Sequence, residues 1–564
     1  MARMSGAQAL LEQLRSEGVR HIFGNPGTSE GAIMASLEAY PDLRYILVAQ
    51  EGVAMGAADG YARATGRPAF VSLHIETGLS NGLSLLFNAF AGGTPLVLSA
   101  ANSDVGRQVA GRTDLAGLVR PFTKWSAEAA QAEQIPGLVR RAFTEARTPP
   151  TGPAFVGFAS NALDATADVD VVPSASVFAR VAPDPRGVDR AVAALVQADR
   201  PAIVLGDRVA QYDAVAEAVG VAERLGARVY GASYPAMLFP TNHPQWCGPL
   251  AAYMPAYREA LGPADAVLVV GAKAFHAFFD PPVQVLNPSA RLVHLDCNAG
   301  EIGQSQPTDV GILADVKFGL RALATALEAG MTGAQKAAAS ARAAELAQQT
   351  AVRRAALNRP NAAGATGGSG AEGGDGRPMR PSRLMAELAA ALPANAIVVD
   401  DAVSSRPALH AAHAFTRPGE VHAERAGGAI GWGMGAALGV QLAHPDEPVV
   451  AVVGDGSAMM TAQALWTASA YGIPAVYVIC NNAGYRILKM NLRRYFRDVL
   501  GDPERPSRYI GMDVPQPWDL AAVARAMGVA GERIEDPAAI GPALRWALAA
   551  RKPALLDVVI DPAL

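Results

Sequence analysis

One short stretch of this 564-residue chain limits its fold more than any other, because an apolar run ends there in a glycine-rich turn. Val449 to Val453 is uninterrupted hydrophobic sequence, and Gly454-Asp455-Gly456-Ser457 follows it directly. Such a run is typical of a strand buried on both faces of a parallel sheet. The glycines allow a sharp turn and a close approach of the backbone to a ligand. The stretch therefore predicts an α/β domain that binds a ligand at the carboxyl end of this strand.

A second apolar run predicts the neighbouring strand of the same sheet. Residues 475–480 are apolar and lead to Asn481 and Asn482. The Asp455 carboxylate and the Asn482 side-chain oxygen are therefore expected at one edge of the sheet. With a nearby backbone carbonyl they form a set of hard oxygen ligands, which suits Mg²⁺ holding a phosphate ester. A lone Gly-Asp-Gly is also a common turn, but two such strand ends favour the metal interpretation.

The alternation of strands and helices recurs along the chain and predicts an α/β protein of three doubly wound parallel-sheet domains. We expect an N-terminal domain at 1–180, a middle domain at 186–356, a Gly-rich linker at 357–380 and a third domain at 381–564. Ser382 is a candidate N-cap for the first helix of the third domain. The predicted strands lie at 21–23, 45–49, 69–73, 96–99, 202–206, 266–271, 291–295, 396–399, 449–453, 475–480 and 554–560.

Composition narrows the classes of partner and the cellular compartment. The net charge of −4 gives no basis for a nucleic-acid or anionic-membrane partner. The three cysteines, Cys247, Cys297 and Cys480, lack metal-site spacing and favour a reducing cytoplasm. The N-terminus has no apolar signal region, and the longest apolar run, Ala426 to Ala443, is interrupted by glycines. We therefore expect a cytoplasmic protein without a membrane partner.

Three residues at predicted strand ends are candidates for acid–base chemistry. Glu51 follows an apolar strand and begins a helix of small residues, where a carboxyl group is placed to hydrogen-bond a heterocyclic nitrogen. A helix N-terminal Glu that interacts with the helix dipole fits the same position. His74 and His276 each follow an apolar strand, which suits a general acid or base, although a lone His is more often structural.

The glycine-rich stretch from Gly427 to Gly435 leads into an apolar helix and has two interpretations. Its glycines allow either close helix packing or a close approach of the backbone to a cofactor. In the second case Ile430 is an apolar wedge against that cofactor.

Taken together, these segments resemble the thiamine-diphosphate-dependent 2-oxoacid decarboxylase and acetolactate synthase superfamily, and within it most resemble the benzoylformate decarboxylases. The resemblance covers nearly the whole chain. The spacing from Gly-Asp-Gly to Asn482 is the cofactor signature of that superfamily when an upstream Glu is present. The matching segments are Phe23-Gly24-Asn25-Pro26-Gly27, Gln50-Glu51, Ala58-Asp59-Gly60-Tyr61-Ala62, Leu73-His74, Phe239-Pro240-Thr241, His243-Pro244 and Gly454-Asp455-Gly456-Ser457.

The resemblance implies thiamine diphosphate and Mg²⁺ as cofactors, with a pyrimidine-binding first domain and a diphosphate-binding third domain. Glu51 is implied to protonate the pyrimidine ring, and in this superfamily it meets Asp455 of another subunit. A homodimer is then the minimal active unit and a homotetramer is usual. The implied metal ligands are Asp455, Asn482 and the Gly484 carbonyl; the other implied cofactor contacts are Ser404, Gly428, Ile430, Gly454, Gly456, Ser457 and Tyr485.

The implied reaction is non-oxidative decarboxylation of a 2-oxo acid to an aldehyde and CO₂, with carboligase activity. The alternative is an acetolactate-synthase-like carboligating transferase, which FAD accompanies in some cases. The implied catalytic residues are Glu51, His74, Thr28 and His276, and the implied substrate pocket contains Thr28, His74, Ile487 and Leu488.

Four departures from the resemblance concern the substrate. Thr28 stands where a Ser is expected, and the stretch around His276 is one residue shorter. Ile487 stands where a small residue is expected, so we predict a narrow pocket that disfavours a phenyl group. The stretch from Arg486 to Arg497 is also unusually basic. It is interpreted either as a solvated helix face or as an entrance that attracts an anionic substrate.

Two alternatives lie outside this enzyme class. A nucleotide- or flavin-binding oxidoreductase also has parallel sheets and glycine-rich turns, but no Gly-x-Gly-x-x-Gly turn opens a helix after the first strand of any predicted domain. The second alternative is a non-catalytic homologue that binds the cofactor for structure or regulation. The presence of Glu51 argues against this alternative.

Overall fold

Three parallel sheets of six strands each organise the chain, which the computed structural model describes over residues 2–175, 179–232, 236–275, 284–357, 378–423 and 427–563. Helices cover both faces of each sheet. In the first sheet, for example, Phe70 packs into the core on one face and Val71 into the core on the other. The predicted fold class, three doubly wound parallel-sheet domains, is confirmed. The exact domain boundaries stay predictions.

The first domain contains a six-stranded parallel sheet and a small antiparallel pair, β1 with β8. Its strands are β1 Ala2–Ser5, β2 His21–Gly24, β3 Arg44–Leu47, β4 Ala69–His74, β5 Leu96–Asn102, β6 Trp125–Ala129, β7 Ala154–Ala159 and β8 Thr166–Val169. Its α-helices are α1 Gly6–Ser16, α2 Gly31–Leu37, α3 Glu51–Thr65, α4 Ile75–Ala91, α5 Leu115–Val119, α6 Ile135–Arg147 and α7 Ser160–Asp164, with 3₁₀ helices at Thr28–Glu30, Val105–Ala110, Arg120–Phe122 and Ala132–Gln134.

The middle domain has its own parallel sheet. Its strands are β9 Pro201–Leu205, β10 Arg228–Gly231, β11 Trp246–Pro249, β12 Ala266–Val270, β13 Arg291–Asp296 and β14 Val310–Leu313. Its helices are α8 Pro185–Leu195, α9 Arg208–Gln211, α10 Val215–Leu225, α11 Met254–Leu261, α12 Val316–Gly330 and α13 Gly333–Leu357. His276 and the linker segment from Asn361 to Arg377 lie outside the described residues.

The first helix of the third domain is α14, which starts at Pro381 with Arg380 as its N-cap. Ser382 is therefore not the N-cap, because proline with its fixed φ takes the first helical position. The strands are β15 Ile397–Asp401, β16 Val421–Ala423, β17 Val449–Gly454, β18 Val476–Asn481, β19 Ala530–Ile534 and β20 Ala554–Val559. The helices are α14 Pro381–Ala391, α15 Arg406–Ala412, α16 Trp432–Ala443, α17 Asp455–Met460, α18 Ala464–Tyr471, α19 Arg486–Asp498, α20 Leu520–Ala526 and α21 Pro537–Ala550, with a 3₁₀ helix at Val403–Ser405.

The first and third sheets have the same strand order. They run β3-β2-β4-β5-β7-β6 and β16-β15-β17-β18-β20-β19, whereas the middle sheet runs β11-β10-β9-β12-β13-β14. In the first sheet β3 lies at the edge beside β2, and in the third sheet β16 lies at the edge beside β15. In each case the edge strand is the second of its sheet in chain order. Helices α3 and α16 follow these second strands, so they hold equivalent positions in the two domains.

Helices α3 and α16 pack directly against each other through small residues. A Cβ atom on Gly60 would overlap the Ala436 carbonyl oxygen, and one on Gly439 would overlap the Ala57 carbonyl oxygen. The α-carbons of Gly56 and Gly435 face each other in the same contact. For Gly435, close helix packing is therefore the interpretation that the structure supports, and Gly439 packs in the same way. Among the described residues, no helix is long and apolar enough to cross a bilayer.

Candidate active site

The carboxyl ends of β17 and β18 bring the predicted metal ligands to one edge of the third sheet. Gly454 pairs with Cys480 in the parallel ladder, so Asp455 and Asn482 follow neighbouring strand ends. Asp455 begins the short helix α17, and Gly484 lies in the loop before α19. The backbone N–H of Gly484 donates to Asp455 Oδ2 at 3.2 Å, which closes this loop over the carboxylate.

The Asp455 carboxylate is almost wholly buried, with 2% of the residue exposed. Its Oδ1 accepts a hydrogen bond of 2.9 Å from the Gly456 backbone. Burial raises the pKa of Asp455 to about 6, although the backbone N–H donors of Gly456 and Gly484 oppose this shift. A buried carboxylate of this kind is stabilised in its charged form when a cation binds beside it.

The two adjacent asparagines have different environments. Asn481 donates its amide to Asp557 at 2.8 Å and to the Trp518 carbonyl at 3.1 Å, so it is structural. The Oδ1 atom of Asn482 is buried and has no hydrogen-bond partner among the residues that the structure describes. A buried acceptor without a partner is costly unless it binds something else. It therefore fits a cation ligand.

The donor set at this edge fits Mg²⁺ better than a softer metal. Within the described ranges, no group of three or more His, Cys, Asp or Glu side chains is placed to hold a metal ion. One carboxylate, one amide oxygen and one backbone carbonyl leave several coordination positions for phosphate oxygens and water, as Mg²⁺ requires.

Ser457 lies beside this edge in a buried network with Asp401. Its hydroxyl donates to Asp401 Oδ2 and accepts a hydrogen bond of 2.7 Å from the Gly431 backbone. Asp401 Oδ2 also accepts from the Gly433 backbone at 2.9 Å. The network fixes the start of α16, where Gly431 has φ +98°. Contact of Ser457 with a phosphate therefore stays a prediction.

Two other predicted phosphate contacts lie next to the same strand ends. Ser404 is in the 3₁₀ helix after β15, which pairs with β17. Tyr485 is the N-cap of α19, and a Cβ atom on Gly456 would meet its ring at 2.6 Å. Gly456 is therefore required for the Tyr485 ring to lie over the Gly-Asp-Gly turn.

The turn that contains Gly428 and Ile430 is held by the first domain. Asn88 of α4 donates to the Ala429 carbonyl at 2.7 Å and accepts from the Ala429 N–H at 3.0 Å. A Cβ atom on Gly427 would overlap Asn88, and Gly428 has φ +76°. Sequence reasoning did not identify Asn88, because no local pattern connects it with a turn 341 residues away.

Glu51 is at the first position of α3 and is 8% exposed. Its Oε1 accepts from the Asn25 amide at 3.2 Å and its Oε2 from the Asn81 amide at 3.0 Å. Asn81 is a second residue that the sequence did not reveal. These hydrogen bonds stay within the first domain, and those of Asp455 stay within the third. A cofactor site formed by Glu51 of one subunit and Asp455 of another therefore stays a prediction.

His74 lies close to Glu51 at the end of β4. A Cβ atom on Gly78 would lie 3.4 Å from Glu51 Oε1 and 3.6 Å from the His74 Cβ, so both side chains flank this glycine. His74 Nδ1 contacts Glu30 Oε2 at 2.8 Å. Thr28 is exposed at the start of the adjacent 3₁₀ helix. The structure therefore gathers Thr28, His74 and Glu51 around one end of the first sheet.

The predicted pocket residues Ile487 and Leu488 lie in the first turn of α19, where Ile487 is half-buried and Leu488 is 44% exposed. The basic side chains of this helix differ in their partners. Lys489 pairs with Asp513 and Arg497 with Asp498. Arg493 donates to the Tyr509 hydroxyl at 2.7 Å instead, and Arg494 lies over the Tyr253 ring.

Comparisons with known proteins identify the class of protein that this fold and site define. Three domains of thiamine pyrophosphate enzymes match the chain: the N-terminal TPP binding domain at residues 4–119, the central domain at 188–323 and the C-terminal TPP binding domain at 401–558. The chain belongs to the thiamine pyrophosphate enzymes. This assignment disfavours the oxidoreductase alternative.

Individual relatives extend over the full length of the chain. It is 34% identical to the benzoylformate decarboxylase of Pseudomonas aeruginosa over 558 residues, which cover 98% of each chain. It is 25% identical to the acetolactate synthase large subunit of Haemophilus influenzae, over 100% of this chain and 95% of that one. A solved structure, the thiamine diphosphate-dependent 4-hydroxybenzoylformate decarboxylase of Rhodococcus jostii, superposes with a TM-score of 0.83 at 29% identity, covering 99% of this chain and 100% of the other.

Proposed function

We propose that this protein is a thiamine-diphosphate- and Mg²⁺-dependent carboxy-lyase that converts a 2-oxo acid to an aldehyde and CO₂. The observation that carries the proposal is that the side chains of Glu51 and His74 lie beside the same glycine, Gly78. Such a pair provides two proton-transfer groups at one place. The match of benzoylformate decarboxylase along 98% of both chains supports the same reaction class.

The third domain offers the residues that would hold the cofactor. Asp455, Asn482 and the Gly484 carbonyl would bind Mg²⁺ and through it the diphosphate, with Ser404, Gly454, Gly456, Ser457 and Tyr485 around the phosphates. Ile430 and the Gly428 backbone would contact the rings. Bound thiamine diphosphate supplies the electron sink that allows a 2-oxo acid to lose CO₂.

The first domain offers the groups that would move protons. Glu51 would exchange a proton with the aminopyrimidine ring, while the Asn25 and Asn81 amides fix both carboxylate oxygens. His74 would deliver a proton to the substrate-derived carbon, and the Thr28 hydroxyl would orient the substrate carboxylate. His276 is a further proposed acid or base. The role of the protein is thus to position reactants and move protons.

We further propose a homodimer as the minimal active unit, a homotetramer as the usual assembly, and a cytoplasmic location. Ile487 favours an aliphatic or small 2-oxo acid over one with a phenyl group, because its branched side chain fills space at the start of α19. An acetolactate-synthase-like carboligating transferase is the second candidate, since the acetolactate synthase of Haemophilus influenzae also matches over nearly its full length.

The test begins with the purified protein, thiamine diphosphate and Mg²⁺, and measures CO₂ release from aliphatic, aromatic and dicarboxylic 2-oxo acids. With the best substrate, Glu51→Gln should lower kcat/KM by about 10²- to 10⁴-fold, since it removes a proton-transfer group. Glu133→Gln, at an exposed position in the same domain, is the matched control. Unchanged activity of Glu51→Gln would show that the proposed mechanism is wrong.

Product analysis with pyruvate separates the two candidates. An aldehyde and CO₂ alone indicate the lyase, whereas an acyloin as the main product indicates the transferase. A yellow purified protein with a flavin spectrum would favour the transferase as well.

A further inference from the structure

Glu30 is a buried carboxylate that contacts His74 and that the sequence did not single out. Only 1% of the residue is exposed. Its Oε2 lies 2.8 Å from His74 Nδ1 and accepts from the Gly27 backbone at 2.9 Å. Its Oε1 accepts from the Ala101 backbone, at the end of β5, also at 2.9 Å. One carboxylate thereby connects the Thr28 turn, the His74 ring and a neighbouring strand end.

The partners of Glu30 determine which nitrogen of His74 faces the site. Each Glu30 oxygen already accepts a backbone N–H, and such groups only donate. The ring completes this arrangement by donating its Nδ1–H to Oε2. The hydrogen bond made by one ring nitrogen fixes the role of the other, so Nε2 is left as the atom that accepts or delivers a proton.

Packing holds the ring in this orientation. A Cβ atom on Gly27 would overlap the His74 ring, so the glycine lies directly against the imidazole. The Gly27 N–H is one of the donors to Glu30, which means that the same residue restrains both partners. Burial and the charge of Glu30 also raise the pKa of the nearby Tyr45 phenol.

We propose that Glu30 is a positioning residue that holds His74 as the Nδ1–H tautomer and directs Nε2 to the substrate. The proposal rests on the decarboxylase function proposed above, and Glu30 itself touches neither substrate nor cofactor. In the proton-transfer step, the Nε2–H bond of the imidazolium breaks as the new C–H bond of the product forms, and the neutral ring keeps its Nδ1–H on Glu30.

Glu30 is the acidic group in direct contact with the imidazole. It faces the ring from the 3₁₀ helix, and the Glu51 carboxylate lies beside the same glycine, Gly78, as the His74 Cβ. Removal of the Glu30 carboxylate takes away the acceptor of the Nδ1–H bond, so the ring should lose its fixed tautomer.

The experiment compares wild type, Glu30→Gln and the exposed control Glu133→Gln by two readouts. The first is the rate at which diethylpyrocarbonate modifies His74, followed by peptide mass spectrometry at pH 7, which needs no substrate. We expect this rate to fall by about threefold or more in Glu30→Gln, because Nε2 reacts only while Nδ1 carries the proton, and to stay unchanged in Glu133→Gln. The second is steady-state kinetics, where kcat should fall by about 10- to 100-fold with little change in KM.

The outcomes separate this proposal from the proposed function. An unchanged modification rate together with unchanged kcat in Glu30→Gln overturns the role of Glu30 and leaves the decarboxylase proposal intact. A wild-type protein inactive on every 2-oxo acid overturns the function, while the modification readout still tests Glu30. If Glu30→Gln does not fold, Glu30→Asp replaces it, because Asp keeps the charge but shortens the reach. Its modification rate must then lie below that of wild type, and an equal rate overturns the proposal.

Discussion

The indole nitrogen of Trp432 donates a hydrogen bond of 2.7 Å to the Asp59 carboxylate, and this contact joins the third domain to the first. Arg63 binds the same carboxylate with two nitrogens, at 2.7 and 2.8 Å, and its guanidinium lies over the Trp432 ring. The side chains of Asp59 and Arg63 are almost wholly buried. A charged pair of this kind depends on each of its donors, because it has no access to water.

Trp432→Phe should therefore lower the free energy of unfolding by about 2 kcal/mol, since it leaves a buried charged acceptor without one donor. Urea unfolding followed by circular dichroism measures the change. Trp546→Phe is the control, because Trp546 is 56% exposed. Equal midpoints for the two variants would show that the Asp59 hydrogen bond does not contribute to stability.

The contact between α3 and α16 predicts a strong effect of one added methyl group. Gly439→Ala would place its Cβ against the Ala57 carbonyl oxygen, so the helices must separate and Glu51 at the start of α3 must move. We expect a loss of about 3 kcal/mol and a fall in activity. Gly333→Ala, at a helix position with open space, is the control and should be neutral. Calorimetric melting temperatures would decide the question; a Gly439→Ala protein that melts like wild type contradicts the packing.

Removal of the proposed metal site should lower the affinity for the cofactor without unfolding the protein. Asp455→Asn removes the carboxylate from the three proposed ligands, so Mg²⁺-dependent binding of thiamine diphosphate should weaken by about 10- to 100-fold. Isothermal titration calorimetry measures the affinity with and without EDTA. EDTA should weaken binding to wild type and to the exposed control Asp446→Asn, but change little in Asp455→Asn. The same EDTA effect in all three proteins would place the metal elsewhere.

The buried carboxylate of Asp401 predicts a pH-dependent contribution to stability. Burial raises the pKa of Asp401 to about 6, against the hydrogen bonds from Ser457 and Gly433. The Asp401 carboxyl group ionises more easily in the unfolded protein than in the folded one. Its ionisation therefore lowers the free energy of unfolding as pH rises from about 4 to about 6. Asp401→Asn removes this cost. Between pH 4 and pH 7 the variant should therefore gain up to about 3 kcal/mol relative to wild type.

The measurement is the difference in unfolding free energy between variant and wild type at the two pH values, which cancels the titration of all other groups. A difference that stays constant between pH 4 and pH 7 would mean that Asp401 has an ordinary titration in the folded protein.

The basic helix α19 gives a charge-specific prediction. Within the described chain, no carboxylate lies at ion-pair distance from Arg493 or Arg494, whereas Arg497 pairs with Asp498. If the helix attracts anionic substrates, Arg493→Gln with Arg494→Gln should raise KM about 3- to 10-fold for 2-oxo acids with a second negative charge, and less at high salt. Arg497→Gln is the control. The same KM change for dianionic and monoanionic substrates would indicate a solvated helix face.

The sequence predicts those parts of the fold whose residues are buried on both faces. Val449 to Val453 is purely apolar and is a central strand, whereas β19 contains Gly, Glu and Arg at a sheet edge and was missed. The three-residue strand β16 is too short for a periodic signal. β7 was missed although its sequence, Ala154–Ala159, is a continuous apolar run that would have revealed it.

The candidate site was predictable where it follows such strands. Asp455 and Asn482 come directly after β17 and β18, so their shared edge follows from the parallel sheet. Glu30, Asn81 and Asn88 contribute through contacts between distant segments, and no local pattern marks them. Their roles depend on packing that only the three-dimensional structure reveals.

The packing of α3 on α16 has a symmetry that bears on how the chain originated. Gly60 approaches Ala436 as Gly439 approaches Ala57, and Gly56 meets the Trp432 carbonyl as Gly435 meets that of Val53. Exchanging the two helices converts one set of contacts into the other, as in an isologous dimer interface. The two helices also follow equivalent strands in sheets of the same strand order. The contact has the form expected if two identical ancestral subunits were fused into one chain by gene duplication.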